Sequence, residues 1–146
     1  MKKITFIIGS IGALVILLHI SACETSDLSS TYDDGTCDYS DCQTSEPYEG
    51  LLHLSLTRNA ENPNVPICIF RGKFENNDLI YTDTARVSVF SVFLPTDTYY
   101  TATAEYRTGV KKIIAIDGDE IRVSQYTICD STCWNITEPT LDLRLK

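Results

Sequence analysis

The sequence predicts an all-β domain, a β-sandwich of seven or eight strands spanning residues 50–146, on three observations. Short runs rich in Val, Ile, Thr, Tyr and Phe alternate their apolar positions, the signature of strands with one buried face. Asn, Asp, Gly and Pro punctuate these runs at short intervals, where each favours a turn. No stretch sustains a helical period. Many short strands and no helix pack most economically as two sheets face to face.

In chain order, Leu51–Arg58 is the first strand, with Leu52, Leu54 and Leu56 on its buried face. Asn59–Asn64 breaks the chain, and Pro66 opens Ile67–Arg71 at a strand start, where proline is tolerated. Glu75-Asn76-Asn77-Asp78 is a turn, followed by a short strand at Leu79–Thr82. Arg86–Leu94 is apolar on both faces, which predicts a central or covered strand. Pro95–Thr98 then turns the chain into Tyr99–Tyr106, where Tyr100, Ala102, Ala104 and Tyr106 share one face. Lys111–Ile116 and Ile121–Ile128 flank Asp117-Gly118-Asp119-Glu120, which reads as a hairpin because Asp-Gly readily supplies positive φ. Leu141–Leu145 is the last run, with Leu141, Leu143 and Leu145 inward.

The run Phe93-Leu94-Pro95-Thr96-Asp97-Thr98-Tyr99-Tyr100-Thr101-Ala102-Thr103-Ala104-Glu105-Tyr106 resembles the leucine-proline, turn, tyrosine and alternating-strand signature of prealbumin-like sandwiches. That group includes transthyretin-like, carboxypeptidase-regulatory-like and Cna-B-type domains. Thr82-Asp83-Thr84 is similar to the turn that precedes the central strand there. The likeness covers roughly residues 50–116, and Asp97-Thr98 departs from it where a glycine usually follows the proline. It implies a fold and little about activity, because these domains serve as stalks, enzyme appendages and carriers.

The amino terminus carries a different message. Met1-Lys2-Lys3 is cationic, positions 4–20 are mostly apolar, and Ile20-Ser21-Ala22-Cys23 follows. These are the parts of a secretory signal. The cysteine after Ser-Ala resembles the lipobox of bacterial lipoproteins, with Ile20 where leucine is more usual. The resemblance implies a signal peptide over residues 1–22, diacylglyceryl and palmitate-type acylation of Cys23, and a cell-envelope location at the outer membrane. A single acyl chain binds a membrane only marginally, whereas two or three anchor durably. The whole chain is also similar to small single-domain lipoproteins of Bacteroidota.

The 146-residue chain has 12 Lys and Arg against 20 Asp and Glu, a formal charge of −8. Loss of residues 1–22 removes only Lys2 and Lys3 from that balance and takes the charge to −10. Residues 24–49 hold Glu24, Asp27, Asp33, Asp34, Asp38, Asp41, Glu46 and Glu49 without one Lys or Arg. Ser- and Thr-rich and almost free of aliphatic side chains, residues 23–49 read as an acidic flexible tether. Such a charge balance argues against a nucleic-acid partner, since phosphate binding needs a basic face.

An exported location permits disulfides. Beyond Cys23 stand Cys37, Cys42, Cys68, Cys129 and Cys133. By proximity, Cys37 with Cys42 and Cys129 with Cys133 are local pairs, although spacing cannot fix a connectivity. The expectation is a local Cys129–Cys133 disulfide beside Trp134, with Trp134 plugging the core in preference to standing exposed as a ligand-stacking aromatic, and Cys68 a small residue within a strand. Structural zinc would need tighter cysteine pairs or more histidines than His53 alone.

Chemistry-bearing residues are sparse. A Ser-His-acid system would have to use His53, which lies on the face opposite Leu52, Leu54 and Leu56, and no nucleophile-elbow, phosphate-loop or HExxH motif accompanies it. Asp117, Asp119 and Glu120 could gather oxygens around calcium, but a hairpin accounts for them without a metal. Asp83-Thr84-Ala85 and Asp130-Ser131-Thr132 resemble the O-glycosylation acceptor of Bacteroidota, and Asn135-Ile136-Thr137 fits the N-glycosylation pattern. No cofactor is expected. The reading is a lipid-anchored, non-catalytic binding or accessory module that contacts an envelope protein, an extracellular protein or a glycan. Its rivals are a carrier of a small apolar ligand, needing a pocket or dimer channel, and a hydrolase using clustered carboxylates.

Processing tests the amino-terminal reading. Cys23→Ala should accumulate as a larger, unacylated precursor on gels of the membrane fraction. Maturation of that variant at the wild-type site would remove the lipobox assignment.

Overall fold

The computed structural model describes residues 37–146. The lipobox, Cys23 and the tether residues before Cys37 lie outside the described residues. Eight strands follow in order: β1 (Glu49–Ser55), β2 (Val65–Arg71), β3 (Leu79–Ala85), β4 (Val89–Pro95), β5 (Thr98–Thr108), β6 (Lys111–Ile128), β7 (Ser131–Thr137) and β8 (Thr140–Asp142). A single 3-10 turn, Phe74–Asn76, stands between β2 and β3. The strands form a three-stranded sheet, β4-β1-β8, and a five-stranded sheet, β3-β2-β5-β6-β7. The fold is the β-sandwich that the alternating runs predict.

Side chains from both inner faces make the core. β1 and its exit supply Leu52, Leu54 and Leu56, β2 supplies Ile67 and Ile69, and the C-terminal run supplies Leu141 and Leu143. β5 contributes Tyr100, Ala102, Ala104 and Tyr106, all at 0% exposure, so the alternation places its inner face correctly. Burying those tyrosines requires partners for their hydroxyls. The Tyr100 hydroxyl donates to the Pro95 carbonyl (2.8 Å), and Tyr106 donates to the Leu143 carbonyl (2.8 Å) while accepting from the Thr57 amide (3.1 Å). Burial raises both phenols above their ordinary pKa.

Five expectations are corrected. Asp117-Gly118 is no hairpin: it lies in the middle of the unbroken β6, with Asp117 opposite Ala102 and Gly118 opposite Thr101. The reversal falls earlier, at Gly109-Val110, where Gly109 has φ 60° and Thr108 pairs with Lys111. β4 is an edge strand paired only to β1, which leaves Val89 and Phe93 58% and 64% exposed rather than covered. Asp83 and Thr84, expected in a turn, continue β3 against β2. β7 goes unread in the sequence because Asp130-Ser131 and Asn135 break up its apolar pattern.

The cysteines give the fifth correction. Cys37 bonds Cys129 and Cys42 bonds Cys133, with Cα separations of 6.3 and 5.0 Å. Cys129 sits at the tip of the β6–β7 turn with φ 51°, whereas Cys133 lies opposite Tyr126. Both members of the expected local pair are bonded to the entering segment instead, so Cys129 and Cys133 do not join each other. Residues 37–49 are therefore attached to the domain. Gln43 bridges to Trp134, with the Trp134 amide donating to the Gln43 carbonyl (2.8 Å), and β1 already begins at Glu49. Cys68 is free and half-buried, on the outer face of β2.

Tyr106→Phe tests the hydroxyl links. It leaves the Leu143 carbonyl and the Thr57 amide without a partner and should cost about 1–3 kcal/mol in urea unfolding. Tyr48→Phe, at a residue 78% exposed, should stay within about 0.5 kcal/mol of the wild type. Equal effects would show that the buried hydroxyl does not matter.

Candidate functional site

The outer face of the five-stranded sheet carries an aromatic depression, built from β5 outward. Tyr99 points away from the core and pairs across the ladder with Glu120, so its diagonal neighbour on β6 is Gly118. A Cβ at Gly118 would lie 2.7 Å from the Tyr99 hydroxyl oxygen, 3.1 Å from its Cε1 and 2.9 Å from the Tyr100 carbonyl oxygen. The missing side chain lets the Tyr99 ring lie over the strand, with 41% of the residue exposed.

The facing wall comes from the β2–β3 connection. Gly72, at φ 76°, turns the chain off β2, its amide donates to the Tyr99 carbonyl (2.7 Å), and the Thr101 hydroxyl donates to the Gly72 carbonyl (2.7 Å). The 3-10 turn then closes on Asn77 in the left-handed conformation. Phe74 packs edge-on against Phe70, with ring centroids 5.1 Å apart, and remains 43% exposed. Between Tyr99 and Phe74 lies an open depression of about 250 Å³, with Thr101, Gly118 and Ile116 lining it and Lys73 and Glu75 beside Phe74. It offers rings for stacking and a charge of each sign for hydrogen bonding.

The residues singled out by sequence disperse. His53 lies on the outer face of the three-stranded sheet, where its Nδ1 is 2.8 Å from the Ser91 hydroxyl and its Nε2 is 3.9 Å from Glu138. A serine, a histidine and an acid are thus gathered, but 3.9 Å is too long for the hydrogen bond that orients a catalytic imidazole. The other Glu138 oxygen accepts the Leu51 amide (2.9 Å). Trp134 is half-buried outside the core cluster rather than plugging it.

Asp117, Asp119 and Glu120 do not converge. Asp117 accepts the amides of Gly118 (2.8 Å) and Asp142 (2.7 Å), while Asp119 and Glu120 pair with Arg122. Among the described residues no cluster of three metal-ligating side chains forms. Thr84 and Thr132 are exposed in their glycosylation-like tripeptides, and Ser131 is half-buried. Asp130 accepts the Tyr39 hydroxyl (2.9 Å). The aromatic depression is missed in sequence because Gly118 reads as a turn there; a glycine diagonal to an outward tyrosine across a strand pair is the signal that could have found it.

No family model, curated protein or solved structure matches this chain.

Gly118→Ala should displace the Tyr99 ring and press on the Tyr100 carbonyl, costing about 1–3 kcal/mol in urea unfolding. Adding Tyr99→Ala should recover part of that loss, a coupling that a double-mutant cycle measures. Strict additivity would mean that the ring does not occupy the Gly118 position.

Proposed function

We propose that this chain is a lipid-anchored protein of the cell envelope, held at the outer membrane through Cys23, whose prealbumin-like sandwich acts as a non-catalytic glycan-binding module. The observation that carries the reading is the Tyr99 ring laid over Gly118 with its upper surface open, opposite the exposed Phe74. An aromatic face binds the C–H-rich face of a pyranose, and this contact is widest when every ring substituent is equatorial, as in the gluco configuration. Lys73 donates and Glu75 accepts at the rim, which suits hydroxyl groups of either polarity. The open groove suits a chain bound along its length better than a small molecule enclosed on all sides. Catalysis has no part in this reading.

Calorimetric titration of the full protein, held in a detergent without a sugar headgroup, tests it with cellohexaose as the probe. Saturable binding is expected, weakened at least tenfold by Tyr99→Ala and unchanged by Tyr48→Ala. Absence of saturable binding, or equal binding by Tyr99→Ala, overturns the glycan assignment.

A further inference from the structure

The first half of β6 has an unpaired edge. β7 takes its partners only from Arg122–Ile128, so Lys111–Glu120 is paired on one side alone, by β5. Hydrogen-bond parity gives the direction in which each residue faces. The Tyr99 carbonyl accepts from Gly72 beside β2, so odd-numbered residues of β5 face β2 and even-numbered ones face β6. Across the register, odd-numbered residues of β6 then face β5. Lys112, Ile114, Ile116, Gly118 and Glu120 turn their amides and carbonyls off the edge.

Two of these amides are already occupied. The Gly118 amide bonds the Asp117 carboxylate and the Glu120 amide bonds that of Asp119, each at 2.8 Å. Among the described residues, those of Lys112, Ile114 and Ile116 have no partner across this edge. Ile114 and Ile116 are also 54% and 50% exposed. An open edge of this kind is a template for strand addition.

We propose that a second copy of this chain pairs here, antiparallel, about a twofold axis at Ile114. The run Lys111-Lys112-Ile113-Ile114-Ala115-Ile116-Asp117 is self-complementary in that register. Lys111 falls opposite Asp117 of the second copy, Ile113 opposite Ala115, Lys112 opposite Ile116, and Ile114 opposite itself. The edge-facing residues meet one another, as an antiparallel ladder requires, and the three pairs from Lys112 to Ile116 exchange about six main-chain hydrogen bonds. Shifting the twofold to Ala115 sets Ile113 against Asp117, and shifting it to Ile113 takes the carboxylate away from Lys111.

Edge lysines also serve to prevent association. Here Lys111 stands at one end of the open run, on the same strand face as Asp117 at the opposite end, Lys112 is already paired with Glu105 of its own chain (2.6 Å), and the interior is uncharged. The occupied amides begin where the paired stretch stops, at Gly118. The β4 edge is open as well, but its run Val89-Phe90-Ser91-Val92-Phe93 has no charge to select a partner. Pairing through β6 joins two five-stranded sheets into one continuous sheet and is an isologous contact.

Cysteine cross-linking of the full protein in detergent tests the register. In a hydrogen-bonded antiparallel pair, facing Cα atoms are about 5.5 Å apart, within disulfide range. Ile114→Cys should give a disulfide-linked dimer on a non-reducing gel under mild oxidation, whereas Ser91→Cys on β4 and the parent protein with Cys68 should not. Ile116→Lys, which sets lysine against Lys112, should weaken association at least tenfold in sedimentation equilibrium while leaving the far-ultraviolet dichroism unchanged. A monomeric parent, cross-linking through Ser91→Cys instead of Ile114→Cys, or full association of Ile116→Lys would each overturn the proposal.

Discussion

The sandwich depends on one strand that sets the distance between its sheets. β5 turns Tyr100, Ala102, Ala104 and Tyr106 inward, a large-small-small-large order. The two alanines leave room for Leu52 and Leu54 of β1, while each tyrosine reaches the opposite layer. Tyr100 ends on Pro95 of β4, and Tyr106 ends between Leu143 and Thr57, beyond β8 and β1. All three strands of the smaller sheet are therefore tied, directly or at their exits, to a single strand of the larger. A leucine at either position would fill space without satisfying those backbone groups, and an unsatisfied buried group costs more than a made bond returns.

The long hairpin of β6 and β7 needs a different kind of support. Only Lys111–Ile121 of β6 lies against β5, and the arm from Arg122 onward has β7 as its ladder partner. Cys37 and Cys42 fasten the entering chain to this arm, and Gln43 takes the outer edge of β7 at Trp134. The cross-links join residues 92 and 91 positions apart. In the chain-entropy model the first closure of a loop that long contributes about 4.5 kcal/mol, and the second, closing only a small ring, contributes about 2.5–3 kcal/mol. A hydrophilic stretch that reads as a tether thus belongs to the domain from Cys37 onward, through covalent bonds rather than apolar burial.

Features set by local periodicity were legible in the sequence. The inward faces of β1 and β5 follow from alternation alone, because one buried face imposes a period of two on every residue. Pairings between distant segments were not. Asp117-Gly118 has the chemistry of a tight turn, yet β5 offers an unbroken ladder opposite it, and that ladder decides the conformation. Apolar residues on both faces of β4 suggested burial, but its neighbour on one side is simply absent. The cysteine connectivity depended on which segments lie side by side, and no spacing records that. Tyr99 was visible as an outward residue of β5; its posture was not, because that is set by the glycine across the ladder.

Asp117, Gly118 and Asp119 show how much a short segment can settle once it is held in a strand. Asp117 points inward and accepts the Asp142 amide, which satisfies the outer edge of β8 and ties the two sheets together on that side. The same carboxylate and that of Asp119 occupy the edge amides of Gly118 and Glu120, so strand addition can begin only below Gly118. Gly118 itself makes the place where Tyr99 lies. These roles alternate because successive residues of a strand face opposite sides. They also bring the two proposed contacts together: Ile116 lines the aromatic depression and ends the open edge. A strand added at that edge would lay its own side chains beside Ile116 and lengthen the floor on which Tyr99 lies. Glycan binding and self-pairing would then share a border without sharing a residue that either must displace.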